Sequence, residues 1–228
     1  AAHEKADEGD GAEDSDHYID ELIAHLHEVI RADELEVVIT GVGVVSPIGI
    51  GKAAYWQAVC AGRSGVRSLE WLAHTGLKSI FGGPIDAFDP KLYVRPRKSL
   101  KVMSREIQFG FAAANLAWED AGLDGVELDP ERLGVVCGSD MIYGDPFEQE
   151  SVYRACMEEG QFSFSRWGIH ACNEIYPLWM LKYLPNMPAC HIGISHDARG
   201  PCNAIVSSEA SGLLAIAEGY RVIRRGTA

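Results

Sequence analysis

Long apolar runs are missing from this sequence. Its 228 residues hold nothing near the ~18 consecutive apolar side chains of a membrane-spanning helix, which excludes such a span. Paired cysteines are missing as well. Cys60, Cys137, Cys156, Cys172, Cys190 and Cys202 are scattered without a CxxC, so they read as reduced cytosolic thiols, not as a disulfide framework or a zinc site. The eight histidines make no ligand pattern, and His191 and His196 stand five apart, a spacing that one helix face does not present together. No metal and no cofactor is therefore expected. There is no Walker A, GxSxG or HExxH motif, and Gly41-Val42-Gly43-Val44-Val45-Ser46 starts like a dinucleotide fingerprint but lacks its third glycine. Ser46-Pro47-Ile48-Gly49 also delays the helix that such a fingerprint needs. AAHEKADEGDG has neither a basic n-region nor an apolar h-region, so no secretory leader is expected and a cytoplasmic location follows.

Positive charge is scarce at the N-terminus. Residues 1–36 hold 13 acidic side chains and two basic ones, Lys5 and Arg31, a net charge of −11 out of the chain's −13. The body is nearly neutral, whereas a nucleic-acid binder clusters positive charge on one face, so generic DNA or RNA binding is disfavoured.

Composition otherwise fits a soluble globular protein, with 47% hydrophobic and 23% charged residues. Residues 1–15 are nearly free of large apolar side chains and read as a disordered acidic tail. Over 16–34, Tyr18, Leu22, Ile23, Leu26, Val29 and Ile30 recur at helical spacing behind Ser15 or Asp16 as N-cap, predicting an amphipathic helix. That helix packs on its own domain or docks a partner. From residue 36 the texture changes. EVVITGVGVVSPIG opens with a β-branched run typical of a buried strand, and GKAAYWQAVCAGRSGV reads as a helix closed at Gly62. SREIQFGFAAANLAWEDAGL is a second helix that stops at Gly122, and LGVVCGS is a second strand. PCNAIVSSEASGLLAIAEGYRVIRRG reads as strand, sharp turn and helix. Strands alternating with helices predict a layered α/β fold around a mostly buried sheet.

Together these segments resemble the β-ketoacyl synthases, the condensing enzymes of fatty-acid and polyketide synthesis. The likeness runs from EVVITGVGVVSPIG through AVCAGRSGV, SREIQFGFAAANLAWEDAGL, LGVVCGS and LPNMPACHIGI to the stretch from Gly200-Pro201 to Ser211-Gly212. It covers about residues 36–228 and implies the N-terminal half of a thiolase-like fold, with helices between layered mixed sheets. The family's C-terminal half, which carries two catalytic histidines and a supporting lysine, is not matched here. None of His170, His191 or His196 corresponds to those positions, and a half-fold is expected to need a second half, as a separate or cleaved chain or as one that has been removed.

The family places a nucleophilic cysteine in the pattern T-A-C-[ST]-[ST]-G. In GPCNAIVSSEASG that position is Glu209, and Cys202 lies seven residues upstream in the expected strand. A thiolate accepts an acyl group from a thioester, aided by a helix N-terminus that lowers its pKa. A carboxylate there is stabilised by the helix dipole but is a poor acceptor, and the anhydride it forms hydrolyses. Glu209 therefore argues against ordinary condensation. Its backbone N–H is still expected to serve an oxyanion hole. In the family a glutamine at this position goes with malonyl decarboxylation or with chain-length-factor subunits. Two functions follow: an enzyme, as a malonyl decarboxylase or an unusual acyl hydrolase, or a non-catalytic partner that shapes the acyl tunnel of an active synthase; an inactive fragment is the third possibility.

Smaller assignments accompany these. Arg95, Arg97, Lys98, Lys101 and Arg105 fall within eleven positions. They resemble the family's basic segment for the acidic acyl carrier protein, although a solvated basic loop is the plainer alternative. Resemblance also implies a homodimer, or a heterodimer with a synthase, through the strand around Asn203 to Ser207. Met141 to Asp145 replaces a glycine-rich stretch, and Phe109, Phe111, Trp118 and Trp179 read as core.

Overall fold

The computed structural model describes residues 36–228. The acidic tail expected over 1–15 and the amphipathic helix expected over 16–34 lie outside the described residues. Among the described residues no helix is long and apolar enough to cross a membrane.

The chain enters along a helix. Residues 36–44, expected as a buried strand, form no ladder. Only Val45–Ser46 (β1) pairs, in a tight antiparallel hairpin with Gly49–Ile50 (β2). The reason lies in the glycines and in the missing neighbour. A Cβ on Gly41 would overlap the Ala117 carbonyl oxygen, and one on Gly43 would overlap that of Ala113, so the backbone lies directly on the Arg105–Asp120 helix. Val42 N–H donates to Asp120 Oδ2 at 2.9 Å, while Val38 and Ile39 remain exposed. No described strand runs alongside to turn this segment into sheet.

The helices follow their sequence signals. α1 (Lys52–Cys60) ends before Gly62, whose φ of 63° stops it. β3 (Arg67–Ser68) and β4 (Phe81–Gly82) pair antiparallel. α2 (Arg105–Asp120) is capped by Ser104, whose side chain accepts the Ile107 N–H at 3.3 Å. It buries Ile107, Phe111 and Ala112, and the positive φ at Gly122 lies just beyond its end. Ile107 and Phe111 join Val94, Met103 and Ile142 in the core, with Leu100, Tyr183, Met187 and Ile192 packed around them.

The layer that positions the site is a parallel pair, β5 (Val135–Ser139) and β8 (Cys202–Val206), in register from Val135–Cys202 to Ser139–Val206. Between them come α3 (Glu150–Ala155), the hairpin β6 (Met157–Glu158) and β7 (Gln161–Phe162), α4 (Trp167–Glu174) and α5 (Met187–Ser195). Glu159 and Gly160, at φ 49° and 81°, form the two-residue turn that joins β6 to β7. After β8 comes α6 (Ser211–Arg224). Alternation along β5 separates the two covering helices. Val135 meets Gly193 of α5, whereas Gly138 meets Ser211 and Gly212 of α6. The result is a helix–sheet–helix sandwich, but the sheet is less buried than its sequence predicts: β8 is half exposed, and Leu213 and Ile216 on α6 face solvent.

Candidate functional site

The site forms where β8 turns into α6. Ser207 leaves the strand and Ser208 takes a φ of 50°, a left-handed conformation that an L-residue adopts only when its surroundings hold it there. The holder is Ser211, which is 4% exposed. Its Oγ accepts the Ser207 N–H at 2.8 Å and donates to the Ser208 carbonyl at 2.7 Å, and Ala210 N–H closes the turn onto Ser207 O at 3.1 Å. Underneath, a Cβ on Gly138 would overlap the Ser211 carbonyl carbon, so a glycine there lets α6 start directly against β5. Ser211 and Gly138 are site residues that the sequence reading did not single out. Serines placed around a sharp strand-to-helix turn are the signal that could have found the first of them.

Glu209 sits at the tip of this turn, exposed, just before the first turn of α6. Its own backbone N–H and the Ser208 hydroxyl hold its carboxyl below the usual range. The helix N-terminus adds to the field that keeps the group anionic. Cys202 is no substitute, because it opens β8 and its thiol is pushed up by burial and by the nearby Cys190. Cys137, on the α5 side of the sheet, is pushed up to about 11, mainly by burial.

The histidines have structural surroundings. His196 Nε2 meets Asn115 Oδ1 at 2.9 Å while its ring lies tilted against Trp118, and burial lowers its pKa. His191 is lowered by burial, against a hydrogen bond with the Val102 backbone that raises it. His170 lies 3.4 Å from an Arg166 nitrogen. Among the described residues no group of three or more His, Cys, Asp or Glu is placed to hold a metal ion. A cavity of about 310 Å3 opens beside the site, with Gly138, Ser139, Met141, Ile142, Glu106 and Ile192 on its wall. Ile142 reaches the core and Met141, though largely exposed, lies on the cavity wall, whereas Tyr143 is exposed and off it, so the 141–145 stretch is only partly a pocket wall.

The five basic residues occupy one connected segment that ends at the start of α2. Arg97, Lys98 and Lys101 are exposed on a 3-10 turn, Arg97–Val102. Arg95 donates to the carbonyls of Lys91 and Val94. Arg105 is exposed but tied down: its guanidinium lies 4.8 Å from the ring centres of both Phe88 and Phe109 and donates to the Ile85 and Phe88 carbonyls.

Comparison with known proteins bears on this arrangement. A family model described as the N-terminal domain of beta-ketoacyl synthase matches residues 34–228. The chain is 32% identical over 196 residues to 3-oxoacyl-(acyl-carrier-protein) synthase 2 of Coxiella burnetii, covering 86% of this chain and 44% of that protein. It is 31% identical over 198 residues to the tetracenomycin polyketide synthase ketoacyl synthase alpha subunit of Streptomyces glaucescens, covering 87% of this chain and 45% of that one. A crystal structure of a beta-ketoacyl synthase from Burkholderia phymatum matches with a TM-score of 0.61 at 25% identity, over 83% of this chain and 44% of that one. The ishigamide ketosynthase/chain length factor shares the fold with a TM-score of 0.65 at 24% identity, over 83% and 44%. The chain thus spans less than half the length of these relatives. The fold is the α/β, thiolase-like one of the ketosynthases, and the chain belongs to the β-ketoacyl synthase family.

Proposed function

We propose that this chain is the N-terminal half of a ketoacyl-synthase-family protein of fatty-acid or polyketide synthesis. It works on acyl or malonyl thioesters of an acyl carrier protein, with Glu209 in the seat of the nucleophilic cysteine. The observation that carries the reading is the placement of Glu209 at the tip of the β8–α6 turn, exposed and held anionic. A carboxylate there does not retain an acyl group, because the mixed anhydride hydrolyses, so condensation is not its reaction. Malonyl decarboxylation needs no acyl acceptor. The bond to the carboxyl carbon breaks, carbon dioxide leaves, and the electron pair becomes an enolate that is protonated to the acetyl thioester. Donors aimed at the enolate oxygen lower that barrier, and a nearby negative charge raises it.

A second reading, a non-catalytic partner like a chain length factor, is favoured by one observation: the Glu209 carboxyl, exposed at the turn and held anionic, places a charge that opposes an enolate. Carbon dioxide release from malonyl-loaded carrier protein separates the two. If the site decarboxylates, Glu209→Gln keeps or raises the rate, since the amide removes the charge that opposes the enolate. Complete loss of release in that variant overturns the decarboxylase. No release by either form, together with a shifted product length when an active synthase is present, supports the partner.

Two further parts of the proposal concern assembly. Arg95, Arg97, Lys98, Lys101 and Arg105 steer the acidic carrier, and one structural neighbour is a type II polyketide synthase acyl-carrier protein in complex with its ketosynthase. Leu213, Ile216, Tyr220 and Ile223 on α6 stay exposed, and a groove of about 720 Å3 runs between α6 and β5. An apolar face of this kind calls for a cover, and the second half of the family fold supplies it. Pairing as a homodimer or with a synthase through β8 is the expected quaternary state.

A further inference from the structure

The turn that carries Glu209 also carries a serine in a strained backbone. Among the described residues, Glu159, Asp197 and Ser208 combine a side chain with a positive φ. Glu159 belongs to a two-residue hairpin turn, and aspartate is a type that tolerates the left-handed region. Neither reason applies to Ser208. Strain of this kind persists where the surroundings over-determine it, and it clusters at reacting centres. A strand of a parallel pair, a strained residue and a helix in close succession lift that residue above the end of the sheet. Hydrolases that join strand to helix by a sharp turn present a serine nucleophile in this way. Here β8 ends at Val206, Ser208 has a φ of 50° and α6 begins at Ser211, with Ser208 and Glu209 both exposed.

The neighbouring groups supply the rest of the chemistry. The Ser208 hydroxyl hydrogen-bonds the Glu209 carboxyl and contributes to holding it anionic. A hydroxyl in contact with a carboxylate is a nucleophile beside a base. Ser211 is not a rival nucleophile, since its buried Oγ is committed to the Ser207 N–H and the Ser208 carbonyl. Those two bonds fix the backbone on either side of Ser208 and so hold its hydroxyl next to Glu209. The N-terminus of α6, a helix of 14 residues, adds a positive field where an oxyanion would form.

We propose that Ser208 is a nucleophile and Glu209 its general base, giving this chain an acyl-thioester hydrolase activity. The carrier as bearer of the thioester rests on the family reading above, whereas the serine–carboxylate step does not. Ser208 Oγ bonds to the thioester carbonyl carbon while its proton passes to Glu209. The carbon–sulfur bond then breaks, and the departing sulfur takes that proton and leaves as the thiol. Water next attacks the acyl-serine carbon and gives a proton to Glu209. The ester bond breaks, Ser208 Oγ recovers the proton, and the carboxylic acid leaves. Glu209 thereby acts without ever carrying the acyl group.

Hydrolysis of S-acetyl-N-acetylcysteamine by the full chain, read as released thiol, tests the activity. Ser208→Gly removes the hydroxyl and keeps the turn, because glycine fits the left-handed φ, so its melting temperature is expected to hold. The variant is expected to lose the rate above buffer by about a hundredfold or more. Glu209→Gln is expected to lose about a hundredfold as well, opposite in sign to its expected effect on carbon dioxide release. A fluorophosphonate, which labels activated serines, is expected to modify Ser208 in the unaltered chain and to fail on both variants. Undiminished hydrolysis by Ser208→Gly, or a label on another residue that survives that substitution, overturns the assignment. No thiol release above buffer by the unaltered chain overturns the hydrolase, while carbon dioxide release from malonyl-loaded carrier protein decides the decarboxylase separately.

Discussion

At the scale of single residues, the turn beneath Glu209 depends on two side chains that do no chemistry. Ser211 makes two hydrogen bonds from a buried position, and its replacement by alanine leaves the Ser207 N–H and the Ser208 carbonyl without their partner. Ser211→Ala is expected to lower stability by about 1–3 kcal/mol, read as a drop in melting temperature. Glu209→Gln, on an exposed side chain, is expected to leave that temperature unchanged. Cys137, pushed up to about 11, holds about one thiolate in a thousand at pH 8, so alkylation is expected to reach the exposed Cys60 and Cys172 first. His191 and His196 are both lowered by burial. The unfolded chain therefore binds more protons than the fold as pH falls through about 6.5, and stability drops there. Urea denaturation between pH 7.5 and 5.5 is expected to show that decline, and a smaller one in His191→Gln; an unchanged slope in the variant counts against the assignment.

At the scale of elements, α2 has the most complete local specification. It has a serine cap, an apolar stripe and a terminating glycine, all legible in SREIQFGFAAANLAWEDAGL. Ser104→Ala is expected to cost about 1 kcal/mol, measured by urea denaturation. The strand–turn–helix from Cys202 to Arg224 was equally legible, because a β-branched run, a small-residue turn and an apolar 3.6-residue period leave little ambiguity. The segment 36–44 was not. Its β-branched run specifies an extended backbone, but a ladder needs a neighbouring strand that no local pattern supplies. Gly41 and Gly43, which suggested the end of a strand and part of a nucleotide motif, are small because the α2 backbone lies against them.

At the scale of the whole molecule, Leu213, Ile216, Tyr220 and Ile223 are exposed on one helix, and the proposed second half is expected to cover them. The isolated 228-residue chain is expected to self-associate, and native mass spectrometry beside the denatured mass of 24.8 kDa reads this directly. A monodisperse monomer at tens of micromolar overturns the need for a second half. The sequence by itself determined the family, the order of helices and strands around the site and the presence of a glutamate in the turn. Those follow from periodicity, capping residues and motifs read along the chain. Only the tertiary structure decided that Ser211 clamps the turn, that Gly138 seats α6 on β5 and that Arg105 lies across Phe88 and Phe109. Each of these depends on groups that approach through space from other elements or from the turn's own backbone geometry, which no spacing in the sequence encodes.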